Sequence, residues 1–308
     1  MEPFVRRWAP AKGAEVLTSP HMRRDVDVRT GFVPTPQGRL AYRALVPDRI
    51  AEPPLLVLHG GPGMPGEYLS PLFELADERP VILFDQLGCG RSDRPADPAA
   101  LTLEVFTEQV DLVREHLGCD RVHLFGHSWG GLLALSSYAA HPGRVASLVL
   151  ASPLVSVDRW CEDARRLTDA LPAPLRHAID AGPGAPGYAD AEKEFYRRHF
   201  CALDPWPDPL RDSMSRLATD VYETMWGPNE FSQTGTLRGT DLSGVAASVD
   251  VPTLWIAGSD DEARPDTLRG FAGANPHSEF VVLPGTHNVH LEQPGAYLSA
   301  IRGFLDAH

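Results

Sequence analysis

The sequence predicts an α/β fold, a mostly parallel twisted sheet with helices on both faces and a helical insertion in the second half of the chain. Three observations carry this. Short apolar runs recur, each followed by Gly-rich or polar turn residues and then by a stretch with helical spacing. The runs are apolar on both alternations, as central parallel strands are. Finally, the rhythm stops after Leu150 and resumes only at Val251.

In chain order, Val26 to Val33 and Arg39 to Val46 flank a Pro-Thr-Pro-Gln-Gly turn and read as an antiparallel hairpin at the sheet edge. Leu55 to Leu58 and Val81 to Phe84 are the first parallel strands. Phe106, Val110, Val113 and Leu117 mark one face of a helix closed by Gly118. Val122 to Phe125 is the next strand, Gly130 to Ala140 a helix, and Val145 to Leu150 a further strand. Thr253 to Ala257 and Phe280 to Leu283 complete the set, both read as central. Between Leu150 and Val251, Trp160, Phe195, Tyr196, Phe200, Trp206, Tyr222 and Trp226 sit among Pro-rich breaks. This segment is either a cap over the C-terminal edge of the sheet, where open α/β sheets bind ligands, or a second packing layer whose aromatics are only core. The division expected is a core of residues 1–153 and 246–308 with a helical cap at 154–245.

Composition narrows the function. The 308 residues carry 28 Lys and Arg against 41 Asp and Glu, a net charge of −13, so the field repels phosphate backbones and acidic membrane surfaces. Nucleic acid and membrane are therefore not expected partners. Cys89, Cys119, Cys161 and Cys201 lie far apart with no C-x-x-C pair, which fits a reducing compartment. Met1 to Lys12 holds no apolar stretch of signal-peptide length, and a cytoplasmic location is expected. No H-E-x-x-H or comparable cluster calls for a metal, and no cofactor is expected. No internal repeat is evident, and no feature sets an oligomeric state.

The chemistry centres on Gly126-His127-Ser128-Trp129-Gly130-Gly131, directly after a strand and opening a helix. That is the context of a nucleophile elbow, in which a serine is pinned on a strand-to-helix turn too tight for neighbouring side chains. A serine hydroxyl needs a base, and the base an orienting acid. In the α/β-hydrolase order these follow downstream, in Gly258-Ser259-Asp260-Asp261-Glu262 and Pro284-Gly285-Thr286-His287. Asp261 is favoured over Asp260 because it stands three residues past Gly258 and four before Pro265, which resembles the G-x-x-D-x-x-x-P pattern of α/β-hydrolases; His287 is favoured over His290 because it lies at the strand exit. The other histidines, His127 included, take packing or surface roles. The amides of Gly61, in His59-Gly60-Gly61-Pro62-Gly63, and of Trp129 are the expected oxyanion donors. As a phosphate loop this segment fails, lacking a G-K-[ST] ending.

At these residues the chain resembles the proline iminopeptidase family of α/β-hydrolases, and more closely its tricorn-interacting aminopeptidase branch. The resemblance covers nearly the whole length. It rests on His59 to Gly63, Asp85-Gln86-Leu87-Gly88-Cys89-Gly90-Arg91-Ser92, Gly126 to Gly131, Gly227-Pro228-Asn229-Glu230-Phe231 and Gly258 to Glu262, in the family's order. It implies a serine aminopeptidase acting on a small peptide or aminoacyl amide, with Glu230 and Glu262 binding the free α-amine. Without it, the two acids read equally as a cap-surface and a loop carboxylate. Two departures stand out: His290 beside the base, and the bulky Trp129, expected to narrow the acyl pocket. Proline need not be the residue released.

Two rival readings remain at this level. One is a carboxylesterase, lactonase, or amino-acid amidase or tailoring hydrolase that uses the same three groups on a small molecule. The other is a catalytically silent binding protein on a hydrolase scaffold.

Overall fold

The computed structural model describes residues 26–50 and 52–308. The first 25 residues, with the Met1 to Lys12 segment considered above, lie outside them.

Eight strands form one sheet: β1 (Val26–Thr35), β2 (Gly38–Pro47), β3 (Leu55–Leu58), β4 (Val81–Phe84), β5 (Val122–His127), β6 (Val145–Ala151), β7 (Thr253–Gly258) and β8 (Ser278–Leu283). Their spatial order is β1-β2-β4-β3-β5-β6-β7-β8. The hairpin β1–β2 and the β2–β4 pair are antiparallel; every other pair is parallel. The parallel strands therefore all point one way, and the loops leaving β3, β5, β6, β7 and β8 gather at a single edge. β3 and β4 are buried throughout, as their unbroken apolar runs require.

Phe280 to Leu283 departs from its sequence reading. β8 is the last strand of the sheet, half-buried, with Val282 exposed. Phe280 packs on the core of one face and Val281 and Leu283 on that of the other, but each is only partly covered, since among the described residues no strand pairs beyond β8.

Helices cover both faces. On one lie α1 (Leu103–His116), α2 (Trp129–Ala140), α8 (Ser243–Ser248) and α9 (Pro265–Gly273), whose apolar faces join Leu56, Leu124 and Trp255 in one core cluster. α1 opens on the Thr102 hydroxyl, which accepts the Val105 amide at 3.4 Å, and closes at Gly118, whose φ of +68° suits a residue without Cβ. On the other face, a run of 3-10 turns (Gly66–Asp77), α10 (Val289–Glu292) and α11 (Pro294–Ala307) pack with Leu55, Val57 and Phe125. Each buried Leu, Ile or Phe here contributes about 1.5–3 kcal/mol over exposure.

Between β6 and β7, α3 (Val157–Asp169), α4 (Ala173–Ala181), α5 (Tyr188–His199), α6 (Asp208–Ser215) and α7 (Thr219–Met225) precede α8. Among the described residues no helix is long and apolar enough to cross a membrane.

Candidate functional site

Ser128 sits between β5 and α2 with φ 57° and ψ −123°, a conformation a non-glycine residue holds only at a cost of about 1–3 kcal/mol. The surroundings impose it. Its amide donates to the Ala151 carbonyl at 3.1 Å, and its carbonyl accepts the amides of Gly131 at 2.8 Å and Leu154 at 3.0 Å. The turn closes only because Gly126 and Gly130 lack side chains: a Cβ on the first would collide with the Gly130 carbonyl, and on the second with the Leu58 carbonyl.

The exits of β7 and β8 bring Asp261 and His287 together. His287 Nδ1 lies 2.8 Å from Asp261 Oδ1; a carboxylate only accepts, so Nδ1 carries a proton, and in a neutral ring that makes Nε2 the acceptor. Both side chains are almost wholly buried. Asp261 also accepts the amides of Ala263 at 2.8 Å and Gly258 at 3.1 Å and the Ser152 hydroxyl at 2.5 Å, which fixes both of its oxygens. Asp260 is instead exposed and accepts its neighbour Ser259. His290 lies elsewhere: its Nε2 donates to the Tyr68 carbonyl at 3.2 Å, and burial holds its pKa down at about 3.

Ser128 and His287 line one cavity of about 180 Å3, together with Gly61, Glu230 and Glu262. Its outer wall comes from the segment between β6 and β7, with Tyr196 and Phe200 at the end of α5, Met214 of α6 and Tyr222 of α7. The aromatics of that segment divide. Tyr196, Phe200 and Tyr222 face the cavity, whereas Phe195 and Trp226 are core and Trp160 packs edge-on against Trp226 and His287. The same segment holds the loops below it. The His199 carbonyl accepts the amides of Glu262 at 3.2 Å and His287 at 3.0 Å, and the Phe200 carbonyl accepts the Asn288 amide at 3.0 Å.

The cavity is acidic. Glu262 is buried with Oε1 3.6 Å from His287 Nε2, and Glu230, half-buried, accepts the Tyr222 hydroxyl at 2.6 Å. Burial pushes the Glu262 carboxyl well above the usual range, and the nearby Glu230 and Asp261 push it further. Burial also raises Glu230, against the opposing effect of the Tyr222 hydrogen bond. Glu192 and Glu223 line the same cavity, and among the described residues no Lys or Arg does. Such a lining suits a cationic group.

Gly61 turns into the cavity with φ +111°, a left-handed conformation open to glycine. The Trp129 amide begins α2 and has no intrahelical acceptor. The Trp129 side chain corrects an expectation. It points away from the cavity into the core, donating its indole N–H to Gln86 Oε1 at 2.8 Å and packing edge-on against Phe106, so it narrows no acyl pocket. The helical direction of the first residue of α2 carries it beneath the elbow.

Among the described residues, His59, Asp85 and Cys89 bring metal-ligand atoms within 4.8 Å of one another. Each already has a protein partner, the Gln86 carbonyl for the Cys89 thiol and the Arg91 amide for Asp85 Oδ2. His59 meets the Gly60 carbonyl through Nδ1 at 2.9 Å and accepts the Gln86 amide on Nε2 at 3.0 Å. Burial holds the Cys89 thiol well above its ordinary pKa. The trio ties the β3 and β4 exits together.

Sequence reasoning missed Ser152, Gln86 and Tyr68, which reach the site from remote positions, and gave His127 only a packing or surface role. The signal available for Ser152 was its place at the β6 exit on the catalytic edge; for Tyr68 there was none.

A family model of the alpha/beta hydrolase fold matches residues 53–294. A proline iminopeptidase of Heyndrickxia coagulans is 35% identical over 285 residues, covering 90% of this chain and 98% of its own. Among solved structures, the proline iminopeptidase of Mycobacterium smegmatis superimposes with a TM-score of 0.85 at 35% identity, covering 91% of this chain and 98% of that one. The crystal structure of VinJ gives 0.84 at 32% identity, covering 90% and 98%.

Proposed function

The chain belongs to the proline iminopeptidase family of α/β-hydrolases, and on that footing we propose that it is a serine aminopeptidase that hydrolyses the amide bond after a free N-terminal residue, proline or another small apolar one. One observation carries the reading beyond the fold: the buried carboxylate of Glu262 stands 3.6 Å from His287 Nε2, with Glu230 in the same cavity. In an N-terminal residue the α-nitrogen lies roughly 2.5 Å from the carbonyl carbon, from standard bond lengths. An ammonium held between these acids therefore puts the first amide bond, and no later one, at the reacting centre.

In this reading Ser128 Oγ attacks that carbonyl carbon as His287 Nε2 takes its proton, while Asp261 holds the Nδ1–H and stabilises the imidazolium. The amides of Gly61 and Trp129 receive the developing oxyanion. Collapse of the tetrahedral adduct breaks the C–N bond, with His287 returning the proton to the leaving amine. Water, deprotonated by the same imidazole, then releases the acyl group from Ser128. The residues 154–245 act as a cap over a core of 1–153 and 246–308, and their acid Glu230 completes the amine site. The substrate is a small peptide or aminoacyl amide, and the enzyme works in the cytoplasm without a cofactor.

The test is a panel of aminoacyl anilides, free and N-acetylated. The wild type turns over the free forms and discriminates strongly against the acetylated ones, and Ser128→Ala abolishes turnover. Equal rates on blocked and free substrates would refute the amine site.

A further inference from the structure

Behind the cavity, three strand exits are joined by a chain of hydrogen bonds whose direction is fully determined. The Gly60 amide lies 2.8 Å from Tyr68 Oη, Tyr68 Oη lies 2.9 Å from His127 Nδ1, and His127 Nε2 lies 3.0 Å from the His287 carbonyl. A carbonyl only accepts, so Nε2 carries a proton. The ring is neutral, since burial first and then the neighbouring His287 and His290 hold its pKa well below the ordinary value, and its Nδ1 is therefore a bare acceptor. The Tyr68 hydroxyl must donate to it, which leaves the hydroxyl oxygen to accept the Gly60 amide. Every donor and acceptor in the chain is used.

Its anchor points are telling. Gly60 precedes the expected oxyanion donor Gly61, His127 precedes Ser128, and the His287 carbonyl belongs to the expected base. The parts are tightly packed: Tyr68, His127 and His287 are all at least 98% buried, and a Cβ on Gly60 would come within 2.8 Å of Tyr68 Oη and 3.2 Å of Ser128 Cβ. Tyr68 is itself held from outside the three loops. Its amide donates to Ser213 Oγ of α6 at 3.1 Å, and its carbonyl accepts His290 Nε2 at 3.2 Å, with the His290 ring packed against both Tyr68 and His127. Both ring nitrogens of His127 are spent in the chain, so it has no free atom to offer a substrate.

We infer that His127 and Tyr68 are positioning residues, which set the Gly60–Gly61 amides and the His287 loop at a fixed distance from Ser128. The inference rests on the proposed roles of Ser128, Gly61 and His287. It also gives His290 a part, as the donor that fixes Tyr68. If the chain breaks, the oxyanion donors and the base lose their mutual register, while the amine site formed by Glu230 and Glu262 stays in place. The expected signature is thus a fall in kcat with little change in KM.

The experiment compares Tyr68→Phe, His127→Leu and His127→Gln with the wild type, counting active sites by fluorophosphonate titration. kcat and KM are measured on a free aminoacyl anilide, along with inhibition by the matching aminoalkyl boronic acid, which forms a tetrahedral adduct. Tyr68→Phe and His127→Leu are expected to lower kcat per titrated site by about tenfold or more and to weaken the boronate in parallel. KM stays within about threefold. His127→Gln, whose amide keeps one donor and one acceptor, recovers a substantial part of the loss. A wild-type kcat per titrated site and an unchanged boronate affinity in Tyr68→Phe, with only Tm lowered, would overturn the inference and leave a packing role. Tyr68→Phe alone decides the matter if His127→Leu does not fold. Failure of the wild type to label at Ser128 would instead refute the underlying assignment, and the inference with it.

Discussion

Replacing Glu230 with Gln removes a charge from the proposed amine site while keeping the acceptor for the Tyr222 hydroxyl, 2.6 Å from Oε1. The fold around α7 is therefore retained. An ammonium about 3.5 Å from one carboxylate gains ~5 kcal/mol at an effective dielectric of about 20. Part of this is recovered in the variant, because Glu262 remains and the amide oxygen still accepts a hydrogen bond. Glu230 is also only half-buried, which places the loss at the low end of the 2–5 kcal/mol typical of breaking a desolvated charge pair, at about 2–3 kcal/mol. That is about a 30- to 150-fold drop in kcat/KM for a free aminoacyl anilide. The assay is steady-state hydrolysis of matched free and N-acetylated substrates. The acetylated substrate has no ammonium to lose, so its slow turnover should change by less than about threefold. An equal loss on both substrates, or none on the free one, would refute the electrostatic reasoning and favour an esterase or lactonase that uses the same serine.

Ser152→Ala removes the 2.5 Å hydrogen bond to Asp261 Oδ2 and leaves three other donors on that carboxylate; kcat should fall about tenfold, less than the full worth of a charged hydrogen bond, with KM unchanged. Glu262 has its pKa raised by burial, so in the folded state it binds a proton that the unfolded chain has lost, and stability falls as pH rises through the window from the ordinary carboxylate value to the raised one. Glu262→Gln should then melt higher than the wild type near neutrality while losing aminopeptidase activity, with the Tm gap closing at acid pH; a lower Tm near neutrality would contradict this. The same raised pKa means that KM for a free-amine substrate climbs on acidification from a higher pH than an ordinary carboxylate would allow. Gly130→Ala drives a methyl into the Leu58 carbonyl and should cost more than about 4 kcal/mol or prevent folding, read by denaturant melts.

The central strands were legible because β3 and β4 are buried on both faces and leave an unbroken apolar run. The same signal misplaced β8, since a run of Phe, Val and Leu does not reveal whether a further strand pairs beyond it. The elbow and the Asp261 and His287 loops were readable as local patterns: their function depends on backbone geometry that small residues at fixed offsets impose. Trp129 shows the limit. Its place in the motif is plain, but whether its indole enters the cavity depends on the helix direction after Ser128 and on Gln86, 43 positions away, which accepts its N–H. Tyr68 was invisible for the same reason, and Ser152 was marked only by its place at the β6 exit. Each acts through one hydroxyl on a partner 59 or 109 positions distant, with no motif around it.

The most direct test of the central claim is the site of covalent attachment. Intact mass and peptide mapping after fluorophosphonate treatment should give a single adduct on Ser128, formed rapidly in the wild type, slowed severely in His287→Ala and absent in Ser128→Ala. No adduct on the wild type, an adduct on another residue, or labelling of His287→Ala at the wild-type rate would contradict the account.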